Sequence, residues 1–209
     1  MILEIVQVGS MEVNCYILAS GDGSKAIIID PGDQERKIRK ALDRHQLSTG
    51  LVINTHGHYD HIGCDDKFGV PVYIHKDDLE MLTDPKFNFS AFFAVPYKVE
   101  SQISTLEEGQ IIGADGVKLK VLHIPGHTRG GIALLLTGQK EKMVFTGDTL
   151  FCQAIGRSDL EGGDGELLVK SIKEKLMILP PDTIVYPGHG ASSTINEEKG
   201  NPYLNARSY

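Results

Sequence analysis

The stretch His56-Gly57-His58-Tyr59-Asp60-His61 places four metal-binding side chains within six residues, directly after the run Leu51-Val52-Ile53-Asn54-Thr55. That run reads as a buried strand ending in a loop. Any fold this chain adopts must therefore close a packed site around three imidazoles and a carboxylate. These donors suit zinc first, with iron or manganese behind it. The bland alternative is a polar surface loop, but a loop packed against a strand end rarely collects three His and an Asp by accident.

Three later loops repeat one grammar, an apolar strand followed by a turn with a single candidate ligand. Val121-Leu122-His123-Ile124-Pro125-Gly126-His127 offers His127, Met143-Val144-Phe145-Thr146-Gly147-Asp148 offers Asp148, and Ile184-Val185-Tyr186-Pro187-Gly188-His189 offers His189. Each ligand stands beside a Gly, which lets the backbone turn sharply and approach a site. Strands aligned in sheets deliver their end loops to one rim, so these distant positions can converge.

The remaining chain fits that picture. Strands are expected at 2–8, 13–18, 26–29, 51–54 and 70–74, with Asp33 capping a helix from Gln34 to His45 and a short helix over 76–81. Residues 82–101 read as irregular, and they carry Phe87, Phe89, Phe92 and Phe93. Those rings either plug the side of the core, form a lip over the site, or make contact between copies of the chain. Strands follow at 110–113, 117–123, 131–136, 142–146 and 183–186, with helices at 165–177 and 192–198. The tail Asn201-Pro202-Tyr203-Leu204-Asn205 is expected to dock on the body. Two packed sheets with helices outside satisfy that order.

At 209 residues the chain is read as one domain, 1–209. Its formal charge of −7 and lack of a basic run argue against nucleic acid or an anionic membrane as partner. Three cysteines without a CxxC pair point to free thiols in a reducing compartment. Met1-Ile2-Leu3-Glu4-Ile5 lacks the basic start of an export signal, and no apolar run approaches the roughly 20 residues of a membrane span. The expected location is the cytoplasm.

The ordered set HxHxDH, PGHT, GD and PGH resembles that of the metallo-β-lactamase superfamily, and in particular short glyoxalase II-like members. The likeness extends over Asn14-Cys15-Tyr16, Asp30-Pro31-Gly32, Gly156-Arg157-Ser158-Asp159 and Asn201-Pro202-Tyr203-Leu204. It implies an α/β fold, a four-layer αββα sandwich with a binuclear site at one edge. Carried onto matching positions, it implies His56, His58 and His127 on one metal, Asp60, His61 and His189 on the other, and Asp148 bridging both. Three protein ligands per metal and a shared carboxylate leave room for a bridging water.

The activity implied is hydrolysis of a small-molecule thioester, of the hydroxyacylglutathione hydrolase type, by a metal-bridging hydroxide. Asp60 and Asp148 are the catalytic candidates, with two divalent ions, zinc foremost, as cofactor. Full-length relatives of that type carry a C-terminal helical domain that helps hold glutathione, and this chain is expected to lack it. The runner-up is a persulfide dioxygenase with one iron on His56, His127 and Asp148, and the non-enzyme alternative is a metal-binding protein on a retained fold. A homo-oligomer is left open.

Asp30 is a candidate to orient a ligand His, and Thr55 and Thr149 are weaker ones. Tyr59 is placed to border a substrate pocket. Arg157 either binds a substrate carboxylate or, more commonly for an Arg beside acids, pins its loop to Asp159. His45, His75 and His123 are expected to be structural, and Cys64 and Cys152 to be small packing residues.

Overall fold

The computed structural model describes residues 1–93 and 95–205. Residue 94, within the aromatic segment, and 206–209 lie outside the described residues. One sheet runs in the order β1 (Ile2–Val8), β2 (Val13–Ala19), β3 (Lys25–Ile29), β4 (Ser48–Ile53), β5 (Val72–His75), β6 (Ile103–Leu106). Its first three strands are antiparallel, and β3 to β6 are parallel. Helix α1 (Glu35–Arg44) makes the crossover from β3 to β4. The short helices α2 (Tyr59–Ile62), α3 (Leu79–Thr83) and α4 (Ser90–Phe93) lie in the later connections.

The second sheet is built from β7 (Ile111–Ala114), β8 (Val117–His123), β9 (Ile132–Thr137) and β10 (Met143–Gly147). After a small hairpin of β11 (Leu150–Phe151) and β12 (Ala154–Ile155), the sheet is completed by β13 (Ile184–Pro187) and β14 (Ser193–Thr194). Its spatial order is β14-β13-β10-β9-β8-β7. Helices α5 (Gly165–Lys175), α6 (Ile195–Glu198) and α7 (Pro202–Asn205) follow in the chain.

Side-chain alternation sorts the apolar residues into three cores. In β2, Tyr16 and Leu18 face the second sheet, whereas Cys15, Ile17 and Ala19 face outward, where Ile38, Ala41 and Leu42 of α1 cover them. In β9 and β10, Ile132, Leu134 and Phe145 face the first sheet. Ala133 and Val144 face Leu168, Ile172 and Leu176 of α5, with Ile195 and Leu204 beside them. Helix, sheet, sheet, helix is the resulting order, the α/β sandwich that the sequence predicts. Continuous apolar strands such as Ala26-Ile27-Ile28-Ile29 are covered on both faces. None of the helices among the described residues is long and apolar enough to cross a membrane.

Four local expectations differ from the structure. Asp33 does not cap α1. Gln34 precedes the helix in the left-handed region (φ 52°), and Asp33 Oδ1 accepts from the Gln34 N–H instead. Just before this turn, Gly32 packs so tightly beneath the Asp60 carbonyl that a Cβ there would overlap it. β6 is unforeseen because Ser104 and Thr105 break the apolar run at an edge strand. The hairpin β11–β12 has only two residues per strand. The helix expected over 192–198 begins as β14 and becomes helical at Ile195, where Thr194 and Glu197 form a capping box.

Candidate metal centre

Four strands end at one rim. β4 ends at Ile53 and leads through Asn54 and Thr55 to His56 and His58, with Asp60 and His61 following in α2. β8 leads to His127, β10 to Asp148 and β13 to His189. The seven side chains fall into three overlapping groups whose donor atoms lie within 4.8 Å of one another: His56–His58–His127, His56–His61–Asp148 and Asp60–His61–His189. All seven sequence candidates are therefore brought together. Asp148 spans the centre, with Oδ1 3.4 Å from His61 Nε2 and Oδ2 3.8 Å from His127 Nε2 and 3.6 Å from His189 Nε2.

The far nitrogens of four of the five rings are tied down, and that of His58, Nε2, is buried without a partner. His61 Nδ1 donates to Asp30 Oδ2 (3.1 Å), His127 Nδ1 to the Arg157 carbonyl (2.8 Å) and His189 Nδ1 to the Met11 carbonyl (2.8 Å). His56 Nδ1 meets Thr55 Oγ1 at 3.2 Å. A ring whose Nδ1 carries the proton leaves Nε2 as a lone-pair donor. His56 Nε2, His61 Nε2 and Asp148 Oδ1 are all buried without a hydrogen-bond partner. Orphaned buried acceptors aimed into one space are costly unless a cation completes them. His58 Nδ1 also sits 3.0 Å from His127 Nε2, a contact that needs a shared proton or a neighbouring cation. The donor set, nitrogen and carboxylate oxygen without thiolate, fits zinc or iron.

Electrostatics divides the rings. Burial, reinforced by the neighbouring imidazoles, pushes His56 well below the ordinary His range and His58 down to about 3. These two are held neutral, as a ligand must be. Burial acts the same way on His61, but the carboxylates of Asp148, Asp60 and Asp30 outweigh it and raise that imidazole. Burial would raise Asp60 and Asp148, yet the surrounding imidazoles hold both below the usual carboxylate range. The pocket thus stabilises carboxylates on the side where His61 and His189 stand.

The supporting residues explain why these loops hold their places. Asp30 is buried and accepts from the Thr55 N–H (2.7 Å), Thr55 Oγ1 (2.7 Å) and His61. Thr55 also accepts, through its carbonyl, the Ile132 N–H, which ties the metal loop to the second sheet. Asp78 is a buried acid that sequence reading overlooks. It accepts from Thr128 Oγ1 and the Gly130 N–H and so anchors the loop of His127. Asn14 Nδ2 donates to the carbonyls of Pro187 and Gly190, and the Tyr16 hydroxyl to that of Pro187, clamping the loop of His189. Met11 and Arg157 act through backbone carbonyls, which no residue identity announces. The Arg157 guanidinium pairs with Asp159 at 2.8 Å on the surface.

Tyr59 and the aromatic segment stand beside the centre. The Phe89 ring is 5.4 Å from that of His58, and Tyr59 stacks near Phe93. Phe92 and Phe93 are about two-thirds exposed (65% and 71%), so they form a rim and not a core plug. Asn88 fixes this rim from beneath, donating to the carbonyls of Met81 and Tyr97 while its own carbonyl receives the Tyr59 N–H.

The other histidines lie apart. His45 bridges Glu4 and Asp22. His75, Asp77 and His123 form a fourth close group, but the two rings stack at 3.9 Å and 14°, so their in-plane lone pairs run side by side and do not converge. The His75 Nδ1 already accepts from the Asp77 N–H, and His123 Nε2 meets the Arg129 carbonyl. Neither Cys64 nor Cys152 belongs to any of the four groups.

Comparison with known proteins agrees with the geometry. The family model of the metallo-β-lactamase superfamily matches residues 8–189. Hydroxyacylglutathione hydrolase GloC of Haemophilus influenzae is 34% identical over 214 residues, covering 99% of each chain. The crystal structure of BLEG-1 B3 metallo-β-lactamase matches with a TM-score of 0.89 at 34% identity, over 98% of this chain and 100% of that one. TTHA1623 in a di-iron-bound form gives 0.81 at 32%, over 95% and 98%. ETHE1 from Myxococcus xanthus gives 0.76 at 25%, over 96% and 83%.

Proposed function

The chain belongs to the metallo-β-lactamase superfamily, and on that footing we propose that it is a metal-dependent hydrolase of small-molecule thioesters acting in the cytoplasm. The observation that carries the metal half of this reading is the trio of buried, partnerless acceptors, His56 Nε2, His61 Nε2 and Asp148 Oδ1. We assign His56, His58 and His127 to one ion, Asp60, His61 and His189 to a second, and Asp148 to both. The thioester half is supported by the likeness to GloC. The charge of −7 favours a small molecule over nucleic acid.

The seven side chains would hold two divalent cations, which when bound would supply an activated water and a Lewis acid for the carbonyl. The chain supplies the rest. Asp30, Thr55 and the carbonyls of Met11 and Arg157 fix which ring nitrogen is free. Asp60, partly exposed, faces both the centre and an adjoining cavity, and from there it would orient an attacking water. The Phe89–Phe93 rim and Tyr59 shield that water from bulk solvent. Water adds to the acyl carbon, the C–S bond breaks, and a carboxylic acid and a thiol leave.

The rival reading, oxygenation of a persulfide at a single iron, has the ETHE1 likeness behind it. It leaves Asp60, His61 and His189 gathered for no purpose, and we rank it second. The test is to measure metal per chain, then assay S-D-lactoylglutathione and simpler thioesters, a β-lactam, and oxygen uptake with a persulfide, each with and without chelator. Asp148→Ala is expected to lower thioester turnover by at least about 100-fold. Wild-type turnover in that variant, or metal binding without hydrolysis of any thioester, sinks the proposal.

A further inference from the structure

Beside the Asp60–His189 half of the centre lies a cavity of about 460 Å³, a size that suits a small-molecule arm. Its walls mix apolar and aromatic side chains, Met11, Phe93, Val95 and Tyr97, with the polar Ser10 and Ser90 and glycine backbone, and Tyr59 stands where the cavity meets the metal loop. Among the described lining residues there is no Lys or Arg. The two charged side chains are Asp33 and Asp60, both acids. Asp60 belongs to the candidate metal set, which leaves Asp33 as the acid of the lining outside that set. Lys37 of α1 does not join the lining. Its ammonium donates to the Gln7 carbonyl at 3.3 Å.

Resting on the thioesterase reading above, we propose that this cavity receives the thiol-carrier arm of the substrate and selects a carrier without carboxylates, with Asp33 as the residue that rejects anionic ones. Glutathione brings two carboxylates, and the described lining offers neither of them a cation to pair with. One of them would also feel the like charge of Asp33. An uncharged, largely apolar carrier meets neither cost. A quaternary ammonium is tolerated too, because Asp33 supplies an opposite charge and Tyr59, Phe93 and Tyr97 line the cavity with aromatic surface.

The experiment compares three lactoyl thioesters on the metal-loaded protein: those of glutathione, N-acetylcysteamine and thiocholine, which differ in carrier charge. At low ionic strength kcat/KM for the N-acetylcysteamine ester is expected to exceed that of the glutathione ester by at least about tenfold. The gap should narrow in about 0.5 M salt, since Asp33 is exposed and its field is screened. Asp33→Lys should shift the glutathione-to-neutral ratio by about tenfold toward glutathione, and Asp33→Asn by less in the same direction. Circular dichroism checks that both variants fold. A glutathione ester equal to or better than the neutral one, or a ratio unmoved by both variants, overturns the inference while the thioesterase reading stands. Hydrolysis of none of the three esters removes both together.

Discussion

Asp30→Asn is the sharpest probe of the scaffold behind the centre. The carboxylate is 1% exposed and accepts three hydrogen bonds, two from Thr55 and one from His61 Nδ1. It also sits at φ 52°, where Asn is tolerated and Ala would add strain, so Asn isolates the chemistry. The amide keeps one oxygen for the Thr55 N–H but turns an NH₂ toward Thr55 Oγ1 and His61. The hydroxyl can rotate to accept. His61 cannot accept on Nδ1 without moving its proton to Nε2, the atom needed for metal. Weakening one charge-assisted bond and creating one donor–donor conflict costs about 2–4 kcal/mol. Loss of such a ligand-orienting partner weakens a metal site by about 10–100-fold. Chelator competition on the variant should show one ion bound normally and one weakened by that factor. Urea unfolding of the metal-free protein should show the stability loss. If Asp30→Asn binds two ions with wild-type affinity and unfolds within about 0.5 kcal/mol of wild type, the orienting role assigned to Asp30 is wrong.

Two further perturbations read other parts of the structure. A Cβ at Gly188 would overlap Asp148 Oδ1 and come within 2.9 Å of His61 Cε1, so Gly188→Ala should cost the second ion without removing any ligand; full metal content by mass spectrometry would count against the packing described. His75 is held down to about 4, first by burial and then by the stacked His123, whereas in the unfolded chain it titrates near 6.5. Its neutral form therefore stabilises the fold above about pH 6.5, and that contribution, at most about 3 kcal/mol, is lost as pH falls from about 6.5 to 4. His75→Asn keeps an acceptor for the Asp77 N–H and should flatten this part of the pH–stability curve; an unchanged acid slope refutes the assignment.

Much of the centre was legible because its ligands are side chains with few other uses at strand ends. His56, His58, Asp60 and His61 announce themselves by density, and His127, Asp148 and His189 by their recurrence after apolar strands. Asp30 was legible for the same reason, as an acid closing a run of isoleucines. Asp78 was not, because an acid at the start of a short helix ordinarily caps it, and only the tertiary approach of Thr128 and Gly130 gives it another use. Met11 and Arg157 were invisible in the roles they hold, since any residue supplies a carbonyl. In the fold, covered strands read clearly from unbroken apolar runs. β6 and β14 did not, being short edge strands defined by a neighbour's hydrogen bonds and not by their own pattern.

The burial of the rings sets a direction for traffic through the centre. His56 and His61 are sealed, at 1% and 0% exposed, whereas the side chain of His189 is 25% exposed on a loop clamped by Asn14 and Met11. The Asp60, Asp148 and His189 side, beside the turn between β1 and β2, is therefore the more open face of the centre, where an ion is expected to enter or leave. On the two-ion assignment, the ion at His189 would be the outer one, expected to be lost first to a chelator and loaded last. A hairpin at the far end of the sequence thus holds the most exposed imidazole of the centre in place.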